Sequence, residues 1–217
     1  METPIVIFDL DGTLTDSAPL IMESINYALE KIGKPRETPA DLPRWVGPPL
    51  AVSFRDFAFV PETGIADAIA AYRENYGKYM FDVPLFEGVI PMLDALKAAG
   101  VPMAIATSKV ERLARPIVTE VGLGDYFSYV CGAKDDGAHH TKTDLIKEVL
   151  DYFASRGYST AEAYMVGDRI YDIEGGNENS VNTIGVGWAG TDETEFSKAT
   201  YIAPTPADLV KIVLKGA

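Results

Sequence analysis

The sequence predicts an α/β fold built on a parallel sheet, with a small α-helical domain inserted after the first strand. Three observations predict it. Short apolar runs recur with helical patterns between them: Pro4 to Phe8, Val101 to Ala106, Tyr129 to Gly132, Ala163 to Gly167 and Asn182 to Val186. That alternation is the signature of parallel strands joined by crossover helices. The stretch from residue 9 to residue 100 is far longer than one crossover requires, so something extra is inserted there. Finally, Asp9 and Asp11 stand directly after the first run, where open α/β sheets gather their ligands.

Taken in order, the first run, Ile5 to Phe8, is short and apolar enough for a buried strand. The insert opens with Asp16-Ser17-Ala18-Pro19, a helix cap with proline near the first helical position. Ile21, Ile25, Ala28, Leu29 and Ile32 then form a helical stripe that ends at Gly33. Prolines 35, 39, 43, 48 and 49 punctuate a loop, and helical patterns resume around Leu50 to Phe57 and Ala66 to Met80. Tyr72, Tyr76 and Tyr79 fall at helical spacing and read as packing within this insert. Pro84 and Gly88 mark the return to the sheet. The expected division is a core of residues 1–14 and 86–217 and a cap domain of residues 15–85, with possible hinges at the two crossings.

Past the second run, Ser108-Lys109-Val110-Glu111 has the capping-box pattern. Val110, Leu113, Ile117, Val118 and Val121 continue it at helical spacing, weakened locally by Pro116. Leu145, Ile146, Val149, Leu150 and Phe153 mark the apolar face of another helix that starts near Thr141.

Composition narrows the function. Hydrophobic residues at 47% and charged ones at 24% are those of a soluble globular chain, and no apolar run is long enough to span a bilayer. The N-terminus has no basic segment, and Asp9 and Asp11 interrupt the apolar stretch, so it does not read as a signal peptide. Cys131 stands alone in an apolar run and reads as a buried small hydrophobe. A cytoplasmic protein with no membrane partner is expected, as a monomer or weak dimer. A net charge of -13 repels a nucleic-acid backbone, which makes polymeric DNA or RNA a poor partner. The same field repels a phosphorylated metabolite, so a site for one requires local positive charge from a metal ion and a few Lys or Arg.

Asp9-Leu10-Asp11-Gly12-Thr13 is the strongest local signal, since residues two apart can face one pocket. Asp-Gly alone is common in turns. A turn does not explain why four further polar positions close other strands or open the helices beyond them. Thr107 closes the second strand, Lys142 opens the helix after the third, and Gly167-Asp168 with Asp172 follows the fourth. Lys142 stands in the first turn of its helix, where the macrodipole disfavours a cation, and faces the expected acid cluster. Asp9, Asp11, Asp168 and Asp172 would meet at one sheet edge. Each carboxylate pair at about 4 Å repels by roughly 1 kcal/mol in water and about 4 kcal/mol at an effective dielectric of 20, so the cluster needs a cation. Oxygen-only ligands beside a phosphate favour magnesium.

These residues in this order resemble the four motifs of the haloacid dehalogenase superfamily: Asp9 to Thr13 the first, Thr107 the second, Lys142 the third, and Gly167-Asp168 with Asp172 the fourth. The insert is similar in position to the helical cap of the phosphoglycolate-phosphatase-like branch. The resemblance implies a Rossmann-like core and a magnesium-dependent phosphomonoester hydrolase acting on a small phosphorylated metabolite. It implies Asp9 as nucleophile and metal ligand, Asp11 as acid and base with its carbonyl on the metal, and Asp168 as a further ligand. Lys142 and Thr107 would hold the phosphate, with Ser108 beside them as helix cap, and Asp172 would orient Lys142 or a metal-bound water.

Substrate choice falls to the insert. Arg44-Trp45-Val46-Gly47-Pro48-Pro49 resembles a cap loop that faces the site in that branch, which makes Arg44 a candidate for a substrate anion. Asp136-Gly137, Gly167-Asp168-Arg169 and Asp172-Ile173 look closer to a nucleotidase-like subgroup, so a 5'-nucleotidase-like phosphatase is the alternative, with a sugar phosphomutase behind it. His139 and His140 are adjacent loop histidines without a partner cluster and read as solvated.

Overall fold

The computed structural model describes residues 3–45, 50–134 and 140–215. Val46 to Pro49, Asp136, Gly137 and His139 of the sequence reading lie outside the described residues. The chain divides into two compact units, residues 1–16 with 84–217, and residues 17–83.

The larger unit is a six-stranded parallel sheet in the order β3-β2-β1-β4-β5-β6. Its strands are β1 (Ile5–Phe8), β2 (Met103–Val110), β3 (Tyr129–Ala133), β4 (Ala163–Gly167), β5 (Asn182–Val186) and β6 (Tyr201–Ala203). Strands outward from β1 on one side are β2 and β3; the chain then returns past β1 to place β4, β5 and β6 on the other. The order reverses at β1 and β4, and a crevice outside the carboxyl ends of those strands is where doubly wound sheets bind ligands. Register sharpens this. Phe8 pairs with Ile105 on β2 and with Val166 on β4, so Asp9 and Asp168 follow their strand ends near the level of Thr107, which is still paired within β2.

Strand residues alternate between two buried faces. Ile5, Ile7, Ala104, Ala106, Cys131, Ala163 and Met165 share one core with Leu145, Ile146, Val149 and Phe153. The latter four belong to the helix Lys142–Ala154, so burial of that apolar stripe fixes which way its first turn points. The other core helices of this unit are Val89–Ala98, Glu111–Glu120, Ile170–Glu178 and Pro206–Lys215.

The smaller unit contains helices Ala18–Lys31, Leu50–Asp56 and Glu62–Tyr79 and a 3-10 turn, Leu42–Trp45. Numbered in chain order, the helices of the whole chain are α1 (Ala18–Lys31), α2 (Leu50–Asp56), α3 (Glu62–Tyr79), α4 (Val89–Ala98), α5 (Glu111–Glu120), α6 (Lys142–Ala154), α7 (Ile170–Glu178) and α8 (Pro206–Lys215). Ile25, Ala28 and Leu29 of α1 are buried, as are Ala68, Tyr72 and Tyr76 of α3, against which α1 packs. Trp45 meets Phe54 edge-on at 5.3 Å between ring centroids. Tyr72 and Tyr76 stack, whereas Tyr79 is half exposed at the helix end and does not join that packing.

Two expected caps do not form. Ser17 has helical torsions (φ -87°, ψ -11°) and makes no side-chain cap bond, because a cap hydroxyl needs extended backbone to turn back on the first N–H groups. The box at Ser108 fails because β2 runs on through Ser108 and Lys109 to Val110, and α5 starts only at Glu111. Glu111 is engaged elsewhere: its carboxylate takes Lys134 at 2.6 Å and the Gly132 N–H at 3.3 Å. By contrast, Thr141 caps α6 with a complete box through Asp144. Among the described residues, no helix is long and apolar enough to cross a membrane.

Candidate active site

Beyond β1 the chain makes a tight loop in which the Gly12 N–H donates to the Thr15 carbonyl at 2.9 Å and the Thr15 N–H donates back to the Leu10 carbonyl at 3.0 Å. Gly12 has φ +79°, a left-handed conformation open to glycine, and a Cβ there would collide with the Asp168 carboxylate. The loop therefore lies against the end of β4. Its contacts are specific: the Thr13 hydroxyl donates to Asp168 Oδ1 at 3.3 Å, and the indole N–H of Trp188, past β5, donates to the Thr13 carbonyl at 2.9 Å.

Asp9 is nearly buried, and its Oδ1 accepts the Leu10 N–H at 2.7 Å. Lys142, at the first position of α6, brings its Nζ to 3.0 Å from Asp9 Oδ1 and 2.9 Å from Asp172 Oδ1, and donates to the Ala106 carbonyl at 3.1 Å. A cation at a helix N-terminus opposes the dipole. Here the two carboxylates outweigh it. Burial works against the charge of Lys142, yet Asp172 and Asp9 together hold its pKa above the ordinary lysine value.

Asp172 is fully buried in the first turn of α7, and its Oδ2 accepts the Arg169 N–H at 3.1 Å. A Cβ on Gly167 would overlap this carboxylate, so glycine at the end of β4 is what lets α7 turn in so closely. Asp168 is buried too; apart from Thr13, its Oδ2 accepts from the Thr191 hydroxyl at 3.4 Å. Burial pushes Asp168 up to about 8, with the charges of Asp172 and Asp9 adding to it. Asp172 is also raised, by burial most of all, while Lys142 pulls it back.

Asp9, Asp168 and Asp172 each offer an oxygen, all within 4.8 Å of one another. The threonine bonds to Asp168 are long beside the roughly 2.5–2.7 Å of a strong hydroxyl–carboxylate bond, so its charge is poorly compensated from within the protein. An oxygen-only, buried and under-neutralised cluster suits a hard divalent cation such as magnesium. In a second cluster, Glu111, Cys131 and Glu148, Lys134 lies 2.6 Å from Glu111 and 3.1 Å from Glu148, so both carboxylates are ion-paired, whereas Lys142 pairs Asp9 and Asp172 and the contacts described for Asp168 are threonine hydroxyls.

The structure thus gathers Asp9, Lys142, Asp168 and Asp172 by direct contact or proximity. Thr107 is buried next to Ala106, whose carbonyl takes Lys142. Asp11 is bracketed, with Oδ2 2.7 Å from Lys109 Nζ and Oδ1 3.5 Å from the Thr15 hydroxyl. Ser108 is an exposed strand residue rather than a helix cap. Arg44 belongs to the smaller unit, where it donates to Glu37 at 2.9 Å and lies over the Phe57 ring. Sequence reasoning passed over Lys109, Thr13, Trp188 and Thr191. For Lys109 a signal existed: the pocket demanded local positive charge, and a lysine stood two residues after Thr107.

A doubly wound sheet with carboxylates and buried lysine at its topological switch point defines an α/β enzyme of the Rossmann-like class. The haloacid dehalogenase-like hydrolase family matches residues 6–186, and the chain belongs to that family. It is 36% identical over 211 residues to the tyrosine-protein kinase PtkA of Mycobacterium tuberculosis, covering 96% of this chain and 69% of that protein. It is 34% identical over 197 residues to a 5'-nucleotidase of Pseudomonas aeruginosa (90% and 88% covered) and 33% identical over 228 residues to a phosphoglycolate phosphatase of Agrobacterium fabrum (99% and 96%). A solved structure described as a predicted phosphatase from Clostridium acetobutylicum superimposes with a TM-score of 0.87 at 34% identity, covering 99% of this chain and 100% of that one.

Proposed function

We propose that this phosphatase of the haloacid dehalogenase-like family hydrolyses phosphomonoesters of small metabolites through an aspartyl-phosphate on Asp9, with magnesium as cofactor. One observation carries the reading: Lys142 holds Asp9 at 3.0 Å at the point where Asp168 brings a further buried carboxylate to the same edge. A lysine on Oδ1 leaves the other oxygen of Asp9 to act as nucleophile.

In the first step that oxygen forms a bond to phosphorus as the bond to the leaving oxygen breaks, and Asp11 gives its proton to that oxygen. In the second, water attacks phosphorus, the bond to Asp9 breaks, and Asp11 takes the water's proton. Lys142 remains charged throughout and faces the negative charge that spreads over the phosphoryl oxygens. Thr107 lies at the same strand edge and serves the phosphate. Asp9, Asp168 and the Asp11 carbonyl are the assigned holders of magnesium, which when bound neutralises phosphate charge. Asp172, with both oxygens already engaged by Lys142 and Arg169, acts on Lys142 and not on the ion.

The relatives named phosphoglycolate phosphatase and 5'-nucleotidase direct the substrate search to small carboxylated or nucleoside monophosphates. The relative named tyrosine-protein kinase brings a second reading to the same experiment, transfer of phosphate to a protein tyrosine. Purified chain with magnesium should release inorganic phosphate from members of a panel of phosphoglycolate, nucleoside monophosphates and sugar phosphates. Asp9→Asn should lose on the order of 10^4-fold in turnover while keeping its unfolding midpoint. Substantial residual turnover in pure Asp9→Asn refutes the assignment; transfer from ATP to protein tyrosine without phosphate release replaces hydrolysis by phosphotransfer.

A further inference from the structure

We infer that Lys109 is a positioning residue of the reaction, holding the Asp11 carboxylate in place for proton transfer to the leaving group. The inference rests on the hydrolytic reading above and adds to it a residue outside the four motifs.

Asp11 sits in the loop beyond β1, beside the left-handed Gly12, so the strand ladder does not hold it. On Oδ1 the Thr15 hydroxyl stands 3.5 Å away, at the limit of a hydrogen bond. On Oδ2 the Lys109 ammonium stands at 2.7 Å, with the lysine side chain 9% and the aspartate side chain 21% exposed. That is the geometry of a short, charge-assisted bond. It also divides the labour of the two oxygens: Oδ2 accepts from Lys109, which leaves Oδ1, with its long Thr15 contact, to face the leaving group.

An anchor is useful only if it is itself fixed. After Thr107 the register of β2 against β3 shifts, so that Val110 faces Ala133, and Ser108 and Lys109 form the irregular extension between. The Lys109 N–H donates to the Thr107 hydroxyl at 3.2 Å. Opposite, a Cβ on Gly132 would stand 2.6 Å from the Lys109 carbonyl, so the close approach of the two backbones depends on glycine there. Lys142 is committed to Asp9 and Asp172. The two ammonium groups therefore serve different carboxylates.

A general acid must lie within hydrogen-bond reach of the oxygen it protonates, and a displacement of about 1 Å costs on the order of 10^2-fold. The test compares kcat/KM, which reports the first P–O cleavage, for an alkyl phosphate and for p-nitrophenyl phosphate, whose leaving group departs without a proton. Lys109→Met should lower kcat/KM about 10- to 100-fold on the alkyl ester and less than about 3-fold on the aryl ester, with Lys109→Arg restoring most of the loss. Added to Asp11→Asn, Lys109→Met should change the alkyl value by less than about 2-fold, since both substitutions remove one function. Should Lys109→Met fail to fold, Lys109→Gln carries the same comparison. Equal losses on both esters, or a full further loss on the Asp11→Asn background, overturn the inference in favour of direct phosphate binding. An unaffected Lys109→Met beside an active wild type overturns it alone, whereas no phosphate release by the wild type overturns the hydrolytic reading and this inference together.

Discussion

Asp168, just past β4, and Asp172, in the first turn of α7, bury two carboxylates with oxygens within 4.8 Å of each other and of Asp9. Proximity of this kind costs the fold stability whenever both are ionised. Asp168 titrates at about 8 in the folded chain, far above an unfolded aspartate. Between those two values the native state binds more protons than the unfolded state, so its stability falls as pH rises.

Asp168→Asn removes that cost. In the absence of divalent cations, the variant should be more stable than the wild type at pH 8 by on the order of 1 to 3 kcal/mol. The gap should shrink as pH falls toward 5, where Asp168 is protonated in the wild type. Urea unfolding at several pH values in chelator measures it. A variant less stable than the wild type at pH 8 would show that Asp168 is neutralised within the protein, and the case for a cation at this site would lose its basis. Activity should vanish in the same variant whatever its stability, since the proposed magnesium ligand is gone.

Magnesium binding should release protons. Near neutral pH the cation-free Asp168 is mostly protonated, and a carboxylate ligand must shed its proton to bind. Affinity should therefore rise with pH and level off above about 8. Calorimetric titration of the chain with magnesium in buffers of different ionisation enthalpy reads the released protons directly. Heats that do not depend on the buffer at pH 7, in the presence of measurable binding, would place the ion on groups already ionised.

Much of this site was legible because strand ends are legible. Asp9, Thr107 and Asp168 follow apolar runs, and β1, β2 and β4 pair in a register that brings those ends level. Lys142 was visible from its conflict with the helix dipole, and the buried Asp172 and Asp9 supply the reason for it. Cys131 read as a small hydrophobe and lies wholly buried in the sheet core, its thiol pushed up to about 12 by burial. Local patterns misled where tertiary partners competed. Ser108 and Glu111 have capping-box spacing, but Lys134 and the Gly132 N–H claim the glutamate, and a register shift carries the strand through to Val110. That same extension places Lys109 on Asp11, and no spacing rule reports a bulge two residues past a strand end. The three-residue β6, with Tyr201 and Ile202 exposed, is too short and too open to show either period.

Gly12 carries the sharpest steric prediction. Its φ of +79° disfavours any side chain, and a Cβ would press on all three terminal atoms of the Asp168 carboxylate, which is fixed in turn by Thr13 and Thr191. Gly12→Ala must either rotate Asp168 away or lift the loop that carries Asp11, and both moves dismantle the site without touching an ionisable group. A positive φ for alanine costs about 1 kcal/mol, with the overlap adding to it, so destabilisation by roughly 1 to 3 kcal/mol is expected. Turnover should fall by at least about 10^2-fold, since displacement of reacting groups by about 1 Å has that effect. Gly33→Ala is the control: its φ of +73° is similarly left-handed, but nothing lies within 4 Å of its Cβ position. It should lose comparable backbone stability and retain turnover. Equal activity in the two variants, measured beside their unfolding midpoints, would show that the approach of Gly12 to Asp168 has no part in the chemistry.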